Sequence, residues 1–156
     1  DVRGQEQEIL DYINNTGNQI DENLAPQADT STKLYVYNPD TIHYVAIAFR
    51  NLNGPINADN LKIKLSDYNT KYYSLKGYEL SGQLYDHINQ IIFIKSFKNS
   101  QEAMLYHNGL NDNDEVFGNV NPAEYQEFVI SYNNYPNFIR SRDLEGYMDF
   151  YRQFYK

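Results

Sequence analysis

The chain has 156 residues and a mass of 18.3 kDa, the size of one domain with one core. Its formal charge of −8 and pI near 4.7 exclude a general nucleic-acid binder, which needs a basic face, and disfavour docking on an anionic membrane surface. With no cysteine, disulfides, thiolate metal sites and a cysteine nucleophile are excluded.

Gln5 to Thr16 places Ile9, Tyr12, Ile13 and Thr16 at helical spacing, and Asn14, Asn15 and Gly17 end that pattern. Residues 18–32 are polar, contain Pro26 and the run Asp29-Thr30-Ser31-Thr32, and read as a linker. The expected division is a helical extension and linker over 1–32 and a folded domain over 33–156. Since the sequence starts at Asp1, a processed protein or a piece of a longer one is expected.

Lys33 to Tyr37 is short, apolar and β-prone, and Asn38-Pro39-Asp40 reads as a turn. His43 to Arg50 follows, apolar on both faces in its middle, as a central strand is. In Asn57 to Tyr73 the period changes: Leu61, Leu65, Tyr68 and Tyr72 form one helical stripe, with Asn57 as cap and Asp59 in the first turn. Tyr78 to Leu84 suggests a strand with Gly82 as a bulge or weak point. Gln90 to Phe97 is the strongest strand pattern in the chain.

Asn99 to Leu110 is a second helix. Asn99 and Glu102 resemble a capping box, and Ala103, His107 and Leu110 make the inner stripe. Glu127 to Ser131 is a short strand, and Asn133-Asn134-Tyr135-Pro136 reads as a turn. Ser141 to Tyr155 carries Leu144, Tyr147, Met148, Tyr151, Phe154 and Tyr155 on one face of a last helix. The order predicts an α+β fold: a ferredoxin-like βαββαβ antiparallel sheet with helices on one face, plus a C-terminal helix and the N-terminal helical extension.

In that arrangement one sheet face takes Val45, Ile47, Phe49, Ile92 and Ile94, and the other takes Tyr44, Ala46, Arg50, Phe93, Lys95 and Phe97. Left bare, Phe93 and Phe97 expose a patch that implies a partner; the last helix lies there or on the sheet edge in the competing arrangement. Tyr44, Arg50, Phe93, Lys95 and Phe97 are accordingly the candidate binding residues, with Tyr44→Ala expected to weaken capture without lowering the melting temperature.

Catalytic patterns are missing. His43, His87 and His107 lack the spacing of a zinc-binding helix, and each reads as a packed or surface histidine. The acidic run Asn111 to Glu115 fails the calcium-loop template, which needs glycine where Phe117 stands. Neither a phosphate-binding glycine loop nor a Gly-x-Ser-x-Gly elbow occurs, so no catalytic residue, metal or cofactor is expected.

Four segments carry a resemblance: HYVAIAF at 43–49, IIFIKSFKNSQEAMLYHNGL at 91–110, FVISYNNYPNFIRSRDLEGYMDFY at 128–151, and the closing Arg152-Gln153-Phe154-Tyr155-Lys156. Together they resemble the C-terminal domain of Bacteroidota periplasmic tetratricopeptide-repeat lipoproteins of the gliding-motility and type IX secretion kind. The resemblance implies a non-enzymatic protein-interaction module in the periplasm, tethered by an upstream lipid anchor, with an envelope protein as partner. A more distant likeness is to the sporulation-related repeat (SPOR) domain, similar in its βαββαβ order and in Ala48-Phe49 and Ser96-Phe97 followed by Asn99 to Ala103. It implies, as the alternative, binding to peptidoglycan glycan strands stripped of stem peptides. That family usually has glycine where Ala48 and Ser96 stand.

Overall fold

The computed structural model describes residues 34–156; the expected helix at Gln5 to Thr16 and the linker over 18–32 lie outside the described residues. The chain forms an α+β fold around a four-stranded antiparallel sheet of order β2-β3-β1-β4. The strands are β1 (His43–Arg50), β2 (Glu79–Leu84), β3 (Asn89–Phe97) and β4 (Tyr125–Ser131). The helices are α1 (Ala58–Tyr72), α2 (Ser100–Leu110), α3 (Tyr135–Ser141) and α4 (Leu144–Phe154).

Local chemistry sets the two long crossover helices where the sequence puts them. Asn57 caps α1, its side chain accepting from the Asn60 N–H at 3.0 Å. Asn99 caps α2, accepting from the Glu102 N–H at 2.9 Å, while Glu102 reaches back to the Lys98 N–H at 3.0 Å, one residue earlier than in a strict capping box. On α1 the buried stripe is Leu61, Leu65 and Tyr68, but Tyr72 at its end is 47% exposed and bonds Glu115 instead. Gly109 of α2 lets the two helices approach: a Cβ there would stand 2.7 Å from the Tyr68 hydroxyl.

Both sheet faces are covered. Every residue of β1 from His43 to Phe49 is buried, which requires packing on each side. The α1–α2 pair covers one face. Lys62 of α1 lies across Gly82, and Tyr106 of α2 packs on Phe97 with ring centroids 5.1 Å apart. Gly82 is therefore not a bulge: β2 and β3 pair in unbroken register from Glu79 to Leu84.

The opposite face is covered by α3, a helix that the sequence reading takes for a turn. Tyr135 packs on Tyr44 and Phe93 at centroid distances of 5.3 and 5.2 Å, and Phe138 packs on Phe128 at 5.5 Å. Pro136 in its first turn suits a helix start, since its fixed φ and missing N–H cost nothing there. Asn134 precedes α3 without capping it. Its amide is spent on the Val36 backbone, accepting from the N–H at 3.0 Å and donating to the carbonyl at 2.8 Å. Residues 35–37, expected to be β-prone, form no strand and are tied to the domain by this side chain rather than by a strand ladder.

The last helix expected over Ser141 to Tyr155 is present but starts three residues later, at Leu144. Arg142 is left-handed at φ 50 and ends α3; Asp143 then caps α4 by accepting from the Gly146 N–H at 3.0 Å. From there α4 straps the β4 margin of the sheet. Tyr147 packs on Phe138 on the α3 side and donates its hydroxyl to the Val129 carbonyl at 2.6 Å. One turn on, Tyr151 reaches Met104 of α2, so the helix passes from one face to the other.

Candidate functional site

Of the five candidate binding residues, the structure brings Tyr44, Phe93 and Lys95 together on the α3 side. They do not form an open face. Tyr44 is 2% exposed and Phe93 is fully buried, both under Tyr135. The Lys95 ammonium sits 5.1 Å from the Tyr44 ring and 5.7 Å from the Tyr135 ring, so the half-buried lysine closes this aromatic cluster with its own charge. The expectation of exposed aromatic anchors is thus corrected: these rings are core.

Phe97 is on the other face altogether. Val45 pairs with Ile94 while His43 pairs with Phe97, so β3 spends one residue more than β1 over the same stretch. An extra residue inverts the side-chain alternation beyond it. Phe97 therefore turns to α2 and packs between Tyr106 and Tyr78, fully buried. Arg50 stands apart at the far end of β1, half exposed, and pairs with Glu124 at 2.9 Å. Such an exposed pair contributes at most about 1 kcal/mol.

The histidines behave as packed groups where they are buried. The Nδ1–H of His43 donates to the Thr41 carbonyl at 2.8 Å, which leaves Nε2 to accept from the Tyr155 hydroxyl at 2.7 Å. Burial holds its pKa below the usual value. His107 is also buried, with its pKa lowered chiefly by desolvation. Nearby, β4 carries Glu127, whose carboxyl is pushed up to about 7 by burial, against the opposing pull of Asn111 and Lys156. His107 Nε2 and Glu127 Oε2 are both sealed from water without a hydrogen-bond partner. The sequence signal for Glu127 was its place in EFVIS, two residues before buried Val129 and so on the same face. Among the described residues, no group of His, Cys, Asp or Glu is placed to hold a metal, and no helix is long and apolar enough to cross a membrane.

Two features remain open to solvent. One is the β2 margin. Where α4 and Tyr147 close the β4 margin, β2 is an edge strand whose residues are all exposed or half-buried, and no described element pairs with its outer side. The other is a cleft of about 170 Å³ between the C-terminal half of α1 and the start of β2, lined by Ser66, Asn69, Thr70, Tyr73, Ser74, Gly77, Tyr78 and Leu80. Its lining holds no charged residue. Sequence reasoning passed over it, although Ser66, Thr70 and Ser74 recur every four residues beside the apolar stripe.

No protein-family model, curated protein or solved structure matches the chain.

Proposed function

We propose that this chain is a non-enzymatic protein-interaction module, the C-terminal part of a periplasmic repeat lipoprotein, and that it takes a partner by strand addition at β2. The observation that carries the reading is the unequal treatment of the two sheet margins. The β4 margin is strapped by α4, with the Val129 carbonyl satisfied by Tyr147. The β2 margin offers six residues, ELSGQL, without proline or lysine, the two residues that commonly blunt an edge. An uncovered ladder of backbone donors and acceptors is a template for an extended segment of another chain. The finer fold description follows the same lines: the order β2-β3-β1-β4, with α1 and α2 crossing on one face, supports a ferredoxin-like split βαβ unit. The partner expected from the resemblance is an envelope protein of a secretion or gliding assembly.

The alternative, glycan binding on the β1–β3 face, lacks support from the geometry, because Tyr44 and Phe93 lie beneath Tyr135 and offer no ring to a sugar. Site-specific photo-crosslinking tests the proposal. A crosslinker at Ser81 should capture an envelope protein that one at Asp149 of α4 does not. Ser81→Lys with Gln83→Lys should abolish that product and leave the melting temperature within about 2 °C. Equal capture from both positions, or capture indifferent to the lysines, refutes it.

A further inference from the structure

We infer that the cleft beside β2 is a specificity pocket that receives one uncharged amide side chain, Gln or Asn, from the added strand. The inference rests on the strand-addition reading and deepens it. Main-chain bonding along an edge gives affinity but little discrimination; discrimination comes from pockets that meet alternate side chains of the incoming segment. The cleft is so placed. Tyr78 and Leu80 bring it to the start of β2, and α1 walls it on the helix-covered side of the sheet, where every second side chain of an added strand points.

Its chemistry selects the occupant. Ser66, Thr70 and Ser74 are exposed and Tyr73 and Tyr78 half-buried, and no hydrogen bond within the described residues engages their hydroxyls. Asn69 is nine-tenths buried, and its amide oxygen accepts from the buried Tyr106 hydroxyl. That bond fixes the amide plane and leaves the Asn69 NH₂ as a positioned donor. An apolar occupant would displace the water these groups hold without replacing its hydrogen bonds. A charged one finds no counter-ion in the lining: Lys76 is paired with Glu102 at 3.6 Å, and the Lys62 ammonium lies over Gly82, outside the lining. An amide offers both donors and an acceptor, which matches a lining of hydroxyls and a spare NH₂. The volume of about 170 Å³ admits a side chain of that size.

The test uses extended, β-prone peptides identical except at one position, which is Gln, Leu, Glu or Lys, with N-acetylglucosamine as a non-peptide probe. Amide chemical shifts of the full chain report β2 and Ser66–Leu80 separately. The Gln peptide should shift both regions and bind roughly tenfold more tightly than the Leu, Glu and Lys peptides. Thr70→Val with Ser74→Ala should bring Gln within about twofold of Leu, leaving Leu binding unchanged. If all four peptides bind β2 equally, the pocket is overturned and strand addition stands. If no peptide shifts β2, both fall. If only N-acetylglucosamine shifts the cleft, it is a sugar site, and the inference is likewise overturned.

Discussion

Replacing Glu127 by glutamine should stabilise the protein at alkaline pH and do little in acid. The Glu127 side chain is half-buried on β4, with one carboxyl oxygen sealed and unpartnered, and desolvation raises its pKa from 4.5 to about 7 on folding. A carboxyl raised in this way favours the folded state fully below its unfolded pKa, and that contribution is lost as pH rises through about 7. The whole shift is worth roughly 3 kcal/mol. His107, with its pKa lowered by burial, has the opposite sign: its stability is present above its unfolded value and lost as pH falls. His43 acts in the same sense as His107. Comparison of wild type with Glu127→Gln at each pH cancels the part of both histidine contributions that the substitution leaves unchanged. Glutamine keeps the shape and cannot ionise, so urea unfolding should find the variant about 3 kcal/mol more stable near pH 8 and about 1 kcal/mol more stable near pH 5. A variant equal to wild type at both values would mean that the carboxylate is hydrated in the folded state. A variant destabilised at both would mean that its ionised form is paired, with Lys156 as the facing cation.

Three further outcomes follow from the packing. Tyr44→Ala, Phe93→Ala and Phe97→Ala should each cost about 3–5 kcal/mol in denaturant unfolding, whereas Arg50→Ala should cost under about 1 kcal/mol; an unchanged stability for any of the three would return that ring to the surface. Gly109→Ala should destabilise by about 1–2 kcal/mol despite alanine's better helix propensity, because its Cβ meets the Tyr68 hydroxyl at 2.7 Å, and Tyr68→Phe in the same chain should recover most of the loss in melting temperature. Tyr147→Phe should cost about 1–2 kcal/mol by leaving the Val129 carbonyl at the β4 margin unpaired, read by amide exchange along β4 as well as by melting.

Much of the element order was legible in the sequence because its causes are local. A 3.6 period marks α1 and α2, alternation or continuous apolarity marks β1 and β3, and Asn57 and Asn99 accept the bonds their positions predict. The Tyr135–Ser141 helix escaped because it is short, begins on residues that also make turns, and owes its helicity to the aromatic face it lays on Tyr44 and Phe93. The candidate binding residues failed for a related reason. Alternation reports which side chains share a face, but not whether a later segment will lie over it.

Length, acidity and the absence of cysteine, read first, still stand as bounds on what this chain does. By itself the sequence determined the antiparallel α+β class and the apolar faces, since periodicity and capping act within a few residues. The tertiary structure alone decided which faces and margins are covered, that one extra residue in β3 turns Phe97 to α2, and that Glu127 is desolvated. It also decided where unspent hydroxyls converge beside β2. Those outcomes depend on contacts between segments far apart in the chain, where burial and packing override local pattern.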